Sequence, residues 1–101
     1  MSDVKLLQEE FVGRGEVRGF LFSQRAKSKY AYIYEVKCLD GAGSYFEVFE
    51  RRENKLFQQE SYPGSKSFGF WAWTFPTFAR AYDKFEELNK ELKQKESESE
   101  R

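Results

Sequence analysis

The chain has 101 residues, room for one small core and not two. Charged residues make up 34% and apolar residues 40%, with 11 Phe, 6 Tyr and 2 Trp, so much of any core must be built from rings. Net charge is zero, which excludes a globally basic nucleic-acid binder. With no histidine and a single cysteine, Cys38, neither a disulfide nor a Cys/His zinc site can form within one chain.

No run of residues approaches the roughly 20 apolar positions of a membrane span. The first residues lack a signal-peptide pattern, because Lys5, Glu9 and Glu10 interrupt them. A cytoplasmic protein is expected. Cys38 lies in an apolar stretch, where a small buried thiol is the ordinary expectation.

Residues 1–15 read as an N-terminal arm. Val4, Leu7 and Phe11 stand at helical spacing, without excluding a strand. The glycines of GRGEVRG, 13–19, precede a strand, not a helix, and so do not match the dinucleotide fingerprint. Residues 16–25 read as a first strand, and AKSK, 26–29, as a basic connection. Residues 30–38 are a second strand, with Tyr30, Tyr32, Tyr34 and Val36 on one face and Ala31, Ile33, Glu35 and Lys37 on the other. Asp40-Gly41 marks a hairpin loop over 39–44. Residues 45–52 form a third strand, with Tyr45, Glu47, Phe49 and Arg51 alternating against Phe46, Val48, Glu50 and Arg52. Residues 53–67 carry little pattern beyond the Pro63-Gly64 turn.

Residues 68–75, FGFWAWTF, hold five rings in eight positions. As a fourth strand they put Phe68, Phe70, Ala72 and Thr74 on one face and Trp71, Trp73 and Phe75 on the other. Pro76 ends the strand. Phe78, Ala81, Tyr82, Phe85, Leu88 and Leu92 then recur at steps of three and four, predicting an amphipathic helix over about 77–93. Residues 94–101 are charged, without apolar side chains, and read as a disordered tail.

The expected fold is α+β: a four-stranded antiparallel sheet followed by one helix, forming a domain over 16–93. One helix covers part of one sheet face. The ring surface left over must meet something else, a ligand or a second copy in a homodimer.

No catalytic residue stands out. The serines lack a basic partner, and most carboxylates alternate with Lys and Arg as a solvated face. No enzyme activity, cofactor or metal is expected. Aromatic faces beside basic strand ends are the chemistry of single-stranded nucleic-acid binding, where bases stack on rings and cations follow phosphates. Tyr32, Tyr34, Trp71 and Trp73 are the stacking candidates. Arg25, Lys27, Lys29, Lys37, Arg51 and Arg52 are the phosphate candidates, with Lys55 and Lys66 nearby.

YIYEVKCLDGAGSYFEVFERR, residues 32–52, resembles the strand-turn-strand of the PUR repeat. YPGSKSFGFWAWTF, 62–75, resembles the strand-turn-strand lead into the helix of the coactivator positive cofactor four, and the pattern over 16–92 is similar to the Whirly proteins as well. That resemblance implies a four-stranded sheet plus helix, often dimeric, binding single-stranded DNA or RNA, with Lys37, Arg51, Arg52 and the sheet aromatics on its nucleic-acid surface. The alternative is a protein-interaction or assembly module using the same aromatic face.

Overall fold

The computed structural model describes residues 4–54 and 56–99, apart from the side chains of Glu16 and Ser99; Lys55 lies outside the described residues, as do the ends of the expected arm and tail. Strands β1 (Glu10–Val12), β2 (Phe20–Lys27), β3 (Ala31–Cys38), β4 (Ser44–Glu50) and β7 (Ala72–Phe75) form an antiparallel sheet in the order β1-β2-β3-β4-β7. Between β4 and β7 the chain makes an excursion. It carries a two-stranded ribbon, β5 (Glu53–Asn54) with β6 (Gln59–Glu60), and a short 3-10 turn at Ser65–Ser67. The helix α1 (Phe78–Ser99) closes the chain.

The sheet is thus the expected antiparallel α+β class, with five strands where four were expected. The additional strand comes from the arm: Phe11 pairs with Phe22, and their rings stack in parallel at 4.8 Å. Ring packing there outweighs the helical spacing of Val4, Leu7 and Phe11.

The hairpin of β3 and β4 follows the sequence closely. Tyr34 lies opposite Glu47 and Val36 opposite Tyr45, so the alternating faces fall as read. Gly41 holds a φ of 85°, which suits glycine in the tight connection. Cys38 ends β3 half-buried, its thiol 2.8 Å from an Asp40 carboxylate oxygen, and is not the fully buried thiol expected.

The FGFWAWTF stretch differs most. Only its second half is strand. The amide of Gly69 donates to the Ala72 carbonyl, and those of Phe70 and Trp71 both donate to Ser67, folding 67–71 into a turn. Gly69 sits at φ 91°, a conformation that breaks extended alternation. Trp71 therefore packs on one face of the sheet and Trp73 on the other, instead of sharing a face.

The helix starts where Thr77 caps it: the Thr77 hydroxyl accepts the Arg80 amide at 3.3 Å. It continues through the charged stretch expected to be disordered, and Glu96 there pairs with Lys29 at 2.8 Å. Ala81, Phe85 and Leu88 seat on Ala31, Ile33 and Val48.

The opposite face is closed as well. Phe22, Tyr32, Tyr34, Val36, Phe49 and Ala72 form a second core, covered by Leu7 and Phe11 of the arm and by Tyr62, Phe68 and Trp71 of the excursion. Tyr62 is its centre, with ring contacts at 4.8–5.5 Å to Phe49, Phe22, Tyr34 and Phe11. The ring surplus anticipated from the sequence is thus hidden largely by the chain itself.

Candidate functional site

The sheet pins the excursion through a buried polar network. Glu60 accepts the Tyr32 hydroxyl at 2.5 Å, the Leu7 amide at 3.2 Å and Arg51 Nε at 2.7 Å. Arg51 also donates to the Ser28 carbonyl at 2.8 Å and lies 5.0 Å from the Tyr32 ring centre. Burial, then the hydrogen bond to Glu60, pushes the Tyr32 hydroxyl well above its ordinary range.

Beside this network an open groove of about 1060 Å³ runs between the arm and the excursion. One wall is β1 and the residues after it, including Val12, Gly13 and Arg14; the other is Tyr62–Ser65 with Phe68. Phe22, Glu47 and Thr74 reach it from the sheet. Gly13 must lack a side chain, because a Cβ there would stand 2.2 Å from the Val17 carbonyl oxygen and 2.9 Å from the Phe22 ring.

Glu47 is 6% exposed and accepts the Tyr62 hydroxyl at 2.5 Å. Burial raises its carboxyl above the usual carboxylate range, against the opposing hydrogen bonds from Tyr62 and Tyr45. The same burial drives the Tyr62 hydroxyl far upward, and the neighbouring Glu47 charge adds to it.

The edge strand β1 is half-used. The Glu9 carbonyl accepts from Gln24 and the Gly13 amide donates to Phe20, so the odd positions of this strand face β2. Backbone groups of Glu10 and Val12 consequently point away from β2, and both residues also line the groove.

The residues expected to bind nucleic acid do not converge. Tyr32 and Tyr34 are both 0% exposed, under the excursion and arm, so neither offers a ring face to a base. Trp73 lies between sheet and helix with Lys84 Nζ 4.1 Å from its ring, while Trp71 lies on the other face under Arg52 at 4.9 Å. Arg25 is bound to Glu35 at 2.6 Å, Arg51 is committed to Glu60, Arg52 contacts Glu50 at 3.2 Å, and Lys29 holds Glu96. Lys27 and Lys37 are exposed and make no ion pair among the described residues.

Of the groove's residues, Tyr62 comes from a stretch without strand or helix periodicity, Phe11 has helical spacing but stands in a strand, and Phe68 has strand alternation but stands before the strand. The one signal was the number of rings itself, since one helix could not cover them. Among the described residues no cluster of carboxylates and thiols is arranged to hold a metal, and no helix is long and apolar enough to cross a membrane. No protein-family model, curated protein or solved structure matches the chain.

Proposed function

We propose that the protein is a non-catalytic binding module that takes an extended peptide segment of a partner protein along β1 and into the adjoining groove. The observation that carries this reading is the juxtaposition of an outward-facing strand edge at Glu10 and Val12 with a ring-lined groove of about 1060 Å³. An extended peptide adds to such an edge through main-chain hydrogen bonds, and alternate side chains drop into the neighbouring pocket. A nucleic acid fits the groove poorly: Glu10 and Glu47 stand against the single cation Arg14 among its lining residues, leaving no surplus of positive charge for phosphates.

The test is selection from a random peptide library followed by calorimetry with Val12→Pro. Proline removes the outward amide of Val12 and leaves the ladder bonds to β2 in place, so the fold should persist by circular dichroism while peptide affinity falls. Failure to select any peptide, or full affinity in the folded variant, overturns the reading. Sedimentation showing that β1 seats a second copy of this chain instead would turn the groove into a homodimer interface and equally overturn it.

A single-stranded nucleic-acid surface, in the manner of the PUR-like proteins, is the second reading. It is favoured by the Arg52–Trp71 stack, with exposed Lys66 and a Phe70 that is 79% exposed nearby in sequence. It requires salt-sensitive, saturable binding in an anisotropy titration with single-stranded oligonucleotides, abolished by Trp71→Ala.

A further inference from the structure

Three carboxylates around Glu47, one each on β3, β4 and β6, are paired with a cation. Glu35 has Arg25, Glu60 has Arg51 and Glu50 has Arg52. Glu47 is held by the neutral hydroxyl of Tyr62, with that of Tyr45 also donating, and has no cation on it among the described residues. A buried carboxylate without a counter-charge keeps a strong attraction for one, because the low surrounding dielectric screens little.

Its position gives that attraction a direction. Glu47 lines the groove, whose walls include the rings of Phe11, Phe22, Tyr62 and Phe68. Ring faces favour a cation, and apolar walls favour the methylene stem that carries one. The groups facing Glu47 are Tyr62 from the excursion, Tyr34 from β3 and Thr74 from β7, with Tyr45 two residues before it on its own strand. None of them is a cation. Arg14 and Glu10 also line the groove, but both are exposed and of opposite sign, and Glu10 is engaged with the Ser23 hydroxyl at 3.2 Å.

We propose that the groove selects a lysine or arginine side chain of the bound peptide, with the cation on the Glu47 carboxylate and the stem against Phe11, Phe22 and Phe68. This rests on the peptide reading of the groove and adds its specificity. A neutral side chain would leave the carboxylate without a counter-charge, and an acidic one would be repelled by it.

Two probes separate this proposal from the reading beneath it. Peptides selected from a random library should carry Lys or Arg at one fixed position. Norleucine there should weaken binding by about tenfold or more, the scale of losing a buried charge partner. Glu47→Gln keeps the acceptor for Tyr62, and should weaken the cationic peptide to a similar degree while sparing the norleucine peptide. The second probe is Nα-acetyl-lysine amide followed by NMR, which should shift the Glu47 carboxyl carbon where the norleucine amide does not. Selected peptides without a cation preference, or equal losses for both peptides in Glu47→Gln, would overturn the cation site and leave the peptide groove standing. A shift of Glu47 by the lysine amide with no selectable peptide would overturn the peptide reading and keep the cation site. Silence from both probes overturns both.

Discussion

One face of the sheet is closed by a single helix of 22 residues, and the other by an arm and an excursion that together contain no strand longer than three residues. The helical lid works by repetition: Ala81, Phe85 and Leu88 present one stripe to Ile33 and Val48. The irregular lid works by one large ring, Tyr62, inserted among four others, and by a charged latch at Glu60. Repetition distributes the energy of closure, whereas insertion concentrates it. A face closed by a few residues is also the face where a groove remains beside them.

The largest expected effect follows from that concentration. Tyr62→Ala should destabilise the domain by about 4 kcal/mol, the range for deleting a large packed ring, and it also deprives Glu47 of one of its donors. Leu88→Ala, at the centre of the helical lid, should cost about 3 kcal/mol. Urea denaturation of both variants checks the comparison. A Tyr62→Ala cost below about 1 kcal/mol would mean the excursion is a loose cover and not a lid.

The latch comes next. Arg51→Met should cost about 3 kcal/mol, because it leaves Glu60 buried against Tyr32 without its cation. Combining it with Glu60→Gln should recover much of that loss in a double-mutant cycle. Simple additivity would show that the pair does not act as a unit. Arg51, expected at a basic strand end as a phosphate contact, is engaged with Glu60 and the Ser28 carbonyl.

The contrast between the lids also decides what could be read from the sequence. The helix stripe, the β3–β4 hairpin and its two faces all rest on periods of 3.6 and 2 that the backbone imposes, and Asp40-Gly41 fixed the turn between them. Tyr62 has no such period around it, and the periods around Phe11 and Phe68 point to the wrong element. Their places depend on contacts distant in sequence, as with Tyr62 against Phe22, and local pattern does not carry that information. The turn at 67–71 hid in the same way: five rings in eight positions look extended until Gly69 takes a positive φ. Of the candidate site, the abundance of rings and the burial pressure on them were readable. Which rings remained for a ligand was not, because the chain folds its own least patterned segment over the tyrosines.

Protonation separates the two faces further, since the one carboxyl with a raised value, Glu47, and the raised hydroxyls lie on the face under the irregular lid. The Glu47 carboxyl is raised above its unfolded value of 4.5, so the folded chain holds this proton more tightly. Its contribution is fully present below pH 4.5 and is lost as pH rises through the raised value. Glu47→Gln should therefore gain stability relative to the parent as pH climbs from 4 to 7, measured by denaturation at each pH. The hydroxyls of Tyr32, Tyr34, Tyr45 and Tyr62 are raised from 10.0 by burial, so their contributions persist below pH 10 and fade above it. Alkaline unfolding should coincide with tyrosinate absorbance. Smooth ionisation without loss of structure would show that these rings are reachable by solvent.

The smallest expected effect lies on the helical side, at Trp73. Lys84 Nζ stands 4.1 Å from its ring centre and also pairs with Glu87 at 3.0 Å, so the indole is capped by a helix side chain. Lys84→Met keeps the apolar stem and removes the charge, and should cost about 0.5–1 kcal/mol. Trp73 emission should change while Trp71, under Arg52 on the other face, stays as it was; Trp71→Phe isolates the signal. A ligand that stacked on Trp73 would have to displace the helix first, and would bind Lys84→Met more readily than the parent. Equal affinity in the two proteins would place the ligand elsewhere, on the face where the lid is irregular and the groove stays open.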